Sequence, residues 1–454
     1  MYSGMKKGLR CRICTGCGLC PGVVPGMGRL LVPPGERERS REAGAQSRRN
    51  GSREADVLPG AHVGQRGDRP DRMHVLAGDA LGGERIPFPR NGKRLAVADI
   101  GTTTIAMLLY GEDGRVEDRF AEVNPQTVYG ADVISRIKAA EDPAAAIRMK
   151  ESVRETLSRG LKKFQKRLPE GEELYLTVAA NTTMSYLFMG WDTAELGQAP
   201  FRASRLSGGE TELEGVRCFL MPGFSAFVGG DILAGCCACG IGEREAVTLL
   251  IDLGTNGELL LGNCHRRIAC ATAAGPAFEG GASRGVWGAD MVRFLAVLRR
   301  EGFLDQTGLL AEPYFGRGIR IGNVLVTRDA VRSVQLAKAA IAAGIEVLLG
   351  KYGIGSDGID RVVLAGGFGY YLDPRDAVEI GLLPHRIGDK TVPGGNTALA
   401  GALTAGRGLL GRGWDSTRLQ LEKYREGTEV VNLAEEPVFG ELYIQRMELQ
   451  EYFG

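Results

Sequence analysis

The sequence predicts an α/β fold of two similar subdomains, preceded by an N-terminal segment with little order. Three observations carry that expectation. A strand–Asp-x-Gly-Thr–strand pattern occurs twice, as VADIGTTTIAMLLY from Val97 to Tyr110 and as LLIDLGTNGELLLG from Leu249 to Gly262. From Leu95 onward, apolar strands alternate with helical patterns, the signature of an α/β chain. The first ~85 residues differ, because their polar stretches lack apolar periodicity. Gly8–Gly92 contains fourteen Arg and no Lys, and ERERSREAGAQSRRNGSREADV has nothing to bury.

Chain length and charge set outer bounds. At 454 residues the chain suits two or three domains, and a net charge of +1 gives no reason to expect nucleic acid or an anionic membrane as partner. No apolar run reaches the length of a membrane span, and the N-terminus lacks a secretory apolar segment, so a cytoplasmic protein is expected. The expected organisation is a Cys-cluster and Arg-rich segment at 1–85, a disordered or remnant region whose other reading is a shifted reading frame. A first subdomain follows at 86–235, with an inserted helical region. A second covers 236–410, and a tail at 411–454 packs on the core.

The elements follow in order. Strands at 95–101 and 105–110 form a hairpin. Helices are expected at 131–140 and 144–166, a strand at 174–179, and a helix from about Thr183. A strand near 216–221 precedes MPGFSAFVGGDILAG, which turns into a helix of small residues. The second strand pair spans 247–262. Helices cover 288–301 and 328–350, and DRVVLAGGFG reads as a buried strand ending in a glycine turn. Helices at 374–381 and 396–409 come next, and the tail at 427–447 reads as strand, loop, strand.

Superposing the two repeated stretches places Asp99 on Asp252 and Gly101 on Gly254, a constant offset of 153 residues (252 against 99, 254 against 101). Repetition at that scale argues for two like subdomains. Glycine permits a tight turn and leaves backbone N–H groups open to phosphate oxygens. Gly101, Thr102 and Thr103 in the first copy, and Gly254, Thr255 and Asn256 in the second, are the candidate phosphate donors. Asp99 and Asp252, at the strand ends, can hold Mg²⁺, usually through water. Two such hairpins facing one another would grip a triphosphate from both sides of a cleft. Gly366 and Gly367 in LAGGFG offer bare backbone to an adenine or ribose. Asp231, in GGDI, could orient an attacking water or cap the helix that follows. Glu258 reads equally as a cleft carboxylate or a surface strand residue. Asn181 and Thr182 read as a cap or as cleft lining, and Gly275, Pro276 and Glu279 as a rigid structural turn that could also touch nucleotide or transmit its state.

The order of phosphate hairpin, second phosphate hairpin and adenosine turn resembles the actin, sugar kinase and Hsp70 ATPase fold. DIGTTT, NPQTVYGADVISRI, NTTMSYLFMG, FVGGDI, IDLGTNGE, AAGPAFEG, QLAKAAI, AGGFGYYLD and IGLLP narrow the match. Together they resemble the ATP-dependent reductive activators of corrinoid proteins, from about Leu95 to the C-terminus. The resemblance implies an ATPase that uses ATP and Mg²⁺ to help return an oxidised Co(II) corrinoid to the methyl-accepting Co(I) state. It also implies a corrinoid protein or methyltransferase system as partner. A separate ferredoxin donor and a homodimer are further expectations.

Members of that family carry an N-terminal plant-type ferredoxin domain with a [2Fe–2S] cluster, and this chain departs from it. Cys11, Cys14, Cys17 and Cys20 stand at strict three-residue spacing before Pro21. The run resembles the bacterial Cys-x2-Cys-x2-Cys-x3-Cys-Pro motif but is one residue short. Four thiolates could bind an iron–sulfur cluster or Zn²⁺, or be a remnant. Cys236, Cys237 and Cys239 read as core packing. The segment after GPAFEG is also shortened. Gly285–Asp290 stands where the family has a small-residue cleft wall, with Trp287 and Asp290 in place of small donors, and weaker nucleotide affinity is expected. Two alternatives stay open: a small-molecule kinase of the same fold with Asp231 as base, and a non-catalytic binding module.

Overall fold

The structure is a computed structural model that describes residues 92–254, 256–275, 288–322 and 324–454, all within one compact unit. Cys11, Cys14, Cys17, Cys20, the rest of the N-terminal segment, Thr255, Pro276, Glu279 and Trp287 lie outside the described residues.

The first sheet is built from β1 (Lys93–Ile100), β2 (Thr104–Tyr110), β3 (Val116–Val123), β4 (Glu173–Ala180), β5 (Gly209–Leu213) and β6 (Val216–Leu220), in the order β3-β2-β1-β4-β6-β5. β1 runs antiparallel to β2 and parallel to β4. Its central residues are buried on both faces, so it reads as a continuous apolar run rather than an alternating one. The strand period still sorts them. Ala96, Ala98 and Ile100 join one core, and Leu95 and Val97 join the other.

Helices α1 (Val133–Ala139), α2 (Pro143–Gln165) and α3 (Thr182–Met189) belong to this half. α2 starts where Asp142 accepts a hydrogen bond from the Ala144 N–H and Pro143 takes the first position. Met149, Val153, Leu157, Leu161 and Phe164 recur at helical spacing and are buried with Met107 and Leu109 of β2.

The second sheet repeats the plan. β7 (Thr248–Leu253), β8 (Gly257–Gly262), β9 (Arg267–Thr272), β12 (Arg361–Ala365), β13 (Thr391–Gly395) and β14 (Thr428–Val431) lie in the order β13-β12-β7-β8-β9-β14. β10 (Ile319–Ile321) and β11 (Val324–Val326) form a separate ribbon. As in the first half, three antiparallel strands are followed by strands added parallel to the first. The expected repeat is therefore present, with the Asp99 and Asp252 turns at equivalent corners.

Besides two single turns at Ala194–Gly197 and Gly366–Gly369, the remaining helices are α4 (Gly230–Cys239), α5 (Gly288–Arg300), α6 (Arg328–Tyr352), α7 (Pro374–Glu379), α8 (Thr397–Gly411), α9 (Trp414–Glu426) and α10 (Phe439–Gln445). α4 and α8 share a core with Leu95 and Val97 of the first sheet and Leu250 and Val363 of the second. They pass each other at backbone contact: a Cβ at Gly401 would stand 1.8 Å from the Ala234 carbonyl oxygen. Gly401→Ala should therefore destabilise the fold by about 2–4 kcal/mol. Gly350→Ala in α6, where a methyl group meets nothing, should stay within about 1 kcal/mol of wild type. Denaturant titration of both variants checks the contrast. Among the described residues α6 is the one helix long and apolar enough to cross a membrane, and 78% of its apolar stretch is buried inside the fold.

Two readings of the tail and edges need correction. The tail at 427–447 is not strand, loop, strand. β14 forms as expected and pairs parallel to β9, but the second half folds as α10. Arg446 makes a bidentate ion pair with Glu346 of α6, which ties that segment to a helix rather than a sheet edge. β3 and β9 are absent from the sequence reading, as are β5, β13 and α9. In β3 the cause is clear: VEDRFAEV is half exposed, and its charges mask the strand period.

Candidate active site

The first hairpin turns at Gly101, whose N–H donates to the Thr104 carbonyl at 3.0 Å. Asn181 caps α3 by accepting the Met184 N–H, and its Nδ2 donates to the Thr102 hydroxyl at 3.1 Å. Asn181 is thus a cap, and it also touches the first glycine turn. Thr102 is buried, and Thr103 is partly open.

The second hairpin turns at Gly254, whose N–H donates to the Asn256 carbonyl at 3.1 Å. No described atom lies within 4 Å of where a Cβ on Gly254 would sit. The described neighbours thus give no packing reason for glycine at this position. Gly367 is equally open. Gly366 is different. Its φ of +81° disfavours side chains, and a Cβ there would meet Asp252 Oδ1 at 2.6 Å and the Leu253 carbonyl at 2.5 Å. The LAGGFG turn, a single helical turn at Gly366–Gly369, therefore abuts the second hairpin.

The carboxylates meet between the sheets. Burial raises Asp99 to about 6, against a counteracting hydrogen bond from Asn396. Asp231 is pushed up to about 7 by burial and then by the Asp99 charge. Asp252 also reaches about 7, through burial, Asp231 and Asp99. Glu258 lies well above the usual carboxylate range for the same reasons, with Asp231 and Asp252 as its neighbours. Each keeps part of its surface open to solvent. Asp99 comes from the first sheet, Asp252 and Glu258 from the second, and Asp231 from α4. Asp99 is held by Asn396 of the second half, Asp252 adjoins the Gly366 turn, and the carboxylates lie near enough to raise one another's pKa values, so both hairpins border one site.

Asp231 is not the cap of α4. The cap position is Gly229, and the Asp231 carboxylate sits in the first turn, where it accepts the Ile232 N–H at 2.9 Å. Glu258 faces the same site and is not a plain surface residue.

Three residues of the site carry no role in the sequence reading. Asn396 caps α8 through Oδ1 and donates Nδ2 to Asp99 Oδ2 at 2.8 Å, linking the two halves. A polar residue before a helix of small residues was its only signal. Asn124 and Arg136 lie in NPQTVYGADVISRI and back the first hairpin; a buried Arg leaves no mark in composition.

The donor set fits the groups that the fold family implies. Four clustered carboxylates receive no stabilisation from any Lys or Arg, which suits a divalent cation. No three such ligands stand close enough to share an ion directly among the described residues. The buried cysteines Cys218, Cys236 and Cys239 have thiols pushed up to about 12 by burial, as befits core packing.

Repeated strand order, paired glycine turns and a shared carboxylate crevice define a two-subdomain ATPase-type fold of the actin and sugar kinase class. Comparison with known proteins sharpens this. Residues 95–244 match the family described as the RACo middle region, and residues 246–290 and 282–452 match the C-terminal domain of RACo, the ASKHA domain. The chain belongs to the RACo family, the reductive activators of corrinoid proteins. It is 32% identical over 407 residues to the corrinoid activation enzyme RamQ of Eubacterium limosum, covering 73% of this chain and 68% of that protein. A solved structure of a reductive activator for corrinoid, iron-sulfur protein aligns with a TM-score of 0.68 and 28% identity, over 79% of this chain and 66% of the other. The chain thus spans about two thirds of the length of both relatives.

Proposed function

We propose that this protein hydrolyses ATP to drive reductive reactivation of a Co(II) corrinoid protein to its Co(I) state. The observation that carries the proposal is the convergence of Asp99, Asp231 and Asp252 from two like hairpins and one helix. In this reading Asp99 and Asp252 hold Mg²⁺, whose charge offsets that of the phosphates. Gly101, Thr102 and Thr103 receive the phosphates from one side, and Gly254, Thr255 and Asn256 from the other. Gly366 and Gly367 take the adenosine. Asp231 orients the attacking water, a role its raised pKa suits because a base works best near the ambient pH. A one-electron uphill gap of roughly 200 mV is about 5 kcal/mol. Closure on ATP supplies it only by favouring one protein state over another. The electron arrives from a separate ferredoxin or from a cluster on Cys11, Cys14, Cys17 and Cys20. The RACo match breaks into two pieces at 282–290, in line with a shortened cleft wall and weakened nucleotide affinity.

The test uses the full chain purified without oxygen. ADP release should be slow alone and faster with a Co(II) corrinoid protein, and a low-potential reductant should then yield the Co(I) absorption band. Release that depends on a sugar-like acceptor instead identifies a kinase. Calorimetry showing no ATP binding identifies a binding module and ends the proposal.

A further inference from the structure

The motif NPQTVYGADVISRI lies outside the roles assigned so far, yet its polar residues converge behind the first phosphate turn. Asn124 is fully buried and donates Nδ2 to the Gly101 carbonyl at 2.8 Å. Arg136 is also fully buried, and its Nη2 donates to the Thr102 carbonyl at 2.5 Å. The guanidinium is held in turn: Nε donates to the Gly130 carbonyl at 3.0 Å, and Nη1 reaches Met184 Sδ at 3.3 Å and Gln126 Oε1 at 3.5 Å. Gly130 is a glycine because a Cβ there would fall 2.3 Å from the Ser135 Cβ.

A planar trans peptide points its carbonyl and the next residue's N–H in opposite directions. Drawing the carbonyls of Gly101 and Thr102 toward Asn124 and Arg136 therefore turns the N–H groups of Thr102 and Thr103 the other way. Those amides therefore face away from the buried pair that holds the two carbonyls. A fixed cation behind the turn also favours an anion in front of it.

We infer that Arg136 and Asn124 are positioning residues that aim the first turn's amides at the terminal phosphates, an inference resting on the nucleotide reading above. They touch no reacting atom. Their effect falls on the phosphates alone, because the adenosine turn at Gly366 belongs to the other sheet.

The experiment compares Kd for ATP and for adenosine by calorimetry in wild type, Arg136→Lys and Asn124→Asp. Lys keeps the charge but loses the fork that spans several acceptors. Asp at 124 keeps the side-chain shape and the bond to the Gln126 N–H, so it stands in if the Arg136 variant fails to fold. ATP affinity should fall about tenfold or more in each variant, with adenosine affinity within about twofold of wild type. Equal loss for both ligands, or loss for neither, overturns the inference and leaves the nucleotide reading intact. A wild-type protein that binds neither ligand removes both.

Discussion

Replacing Asp252 by Asn should lower ATP turnover by about a hundredfold or more, while making the ligand-free protein more stable above pH 7. On the proposed reading the loss follows from removing a carboxylate that would hold Mg²⁺, the cation whose charge would offset that of the phosphates. The gain follows from proton linkage. Burial, Asp231 and Asp99 raise Asp252 from 3.8 to about 7 in the folded protein. Between those values the folded state keeps a proton that the unfolded chain has released, so stability falls as pH rises through that window. Asn has no proton to lose and escapes the decline. The difference should be absent below about pH 4, complete above about pH 7, and roughly 2 kcal/mol after allowing for solvent screening at a partly open site. Calorimetric scans at pH 5 and pH 8 read the sign directly. A variant that melts lower than wild type at pH 8 contradicts the crowded-carboxylate account. Added Mg²⁺ and ATP should raise the wild type's melting temperature more than the variant's.

Gly254→Val and Gly367→Val should leave folding within about 0.5 kcal/mol of wild type and weaken ATP binding by about a hundredfold. Neither residue has a φ that excludes side chains, and no described atom lies within 4 Å of the Cβ that either substitution adds. The isopropyl group then fills space that, on this reading, belongs to the ligand. Paired melting curves and ATP titrations decide the matter. Unchanged affinity at both positions means the glycines serve something other than a nucleotide, whereas a large drop in stability means they are packing residues after all.

These expectations draw unequally on sequence and structure. The hairpins were legible because a glycine turn between two apolar strands is local: the backbone bonds at Gly101 and Gly254 span two or three residues. The third strand of each copy, β3 and β9, was not legible, and the repeated strand order emerged only in the fold. α10 was not legible either, because the Arg446–Glu346 pair that ties it to α6 spans 100 residues.

The sequence by itself determined that two like turns exist, which residues they offer, and which family they belong to, since these rest on short-range geometry and residue type. Only the tertiary structure decided that the turns share one crevice. It brought Asn396 to Asp99 across 297 residues and crowded Asp99, Asp231, Asp252 and Glu258 until burial and mutual repulsion raised their pKa values. Such repulsion depends on separation in space, which no local pattern encodes.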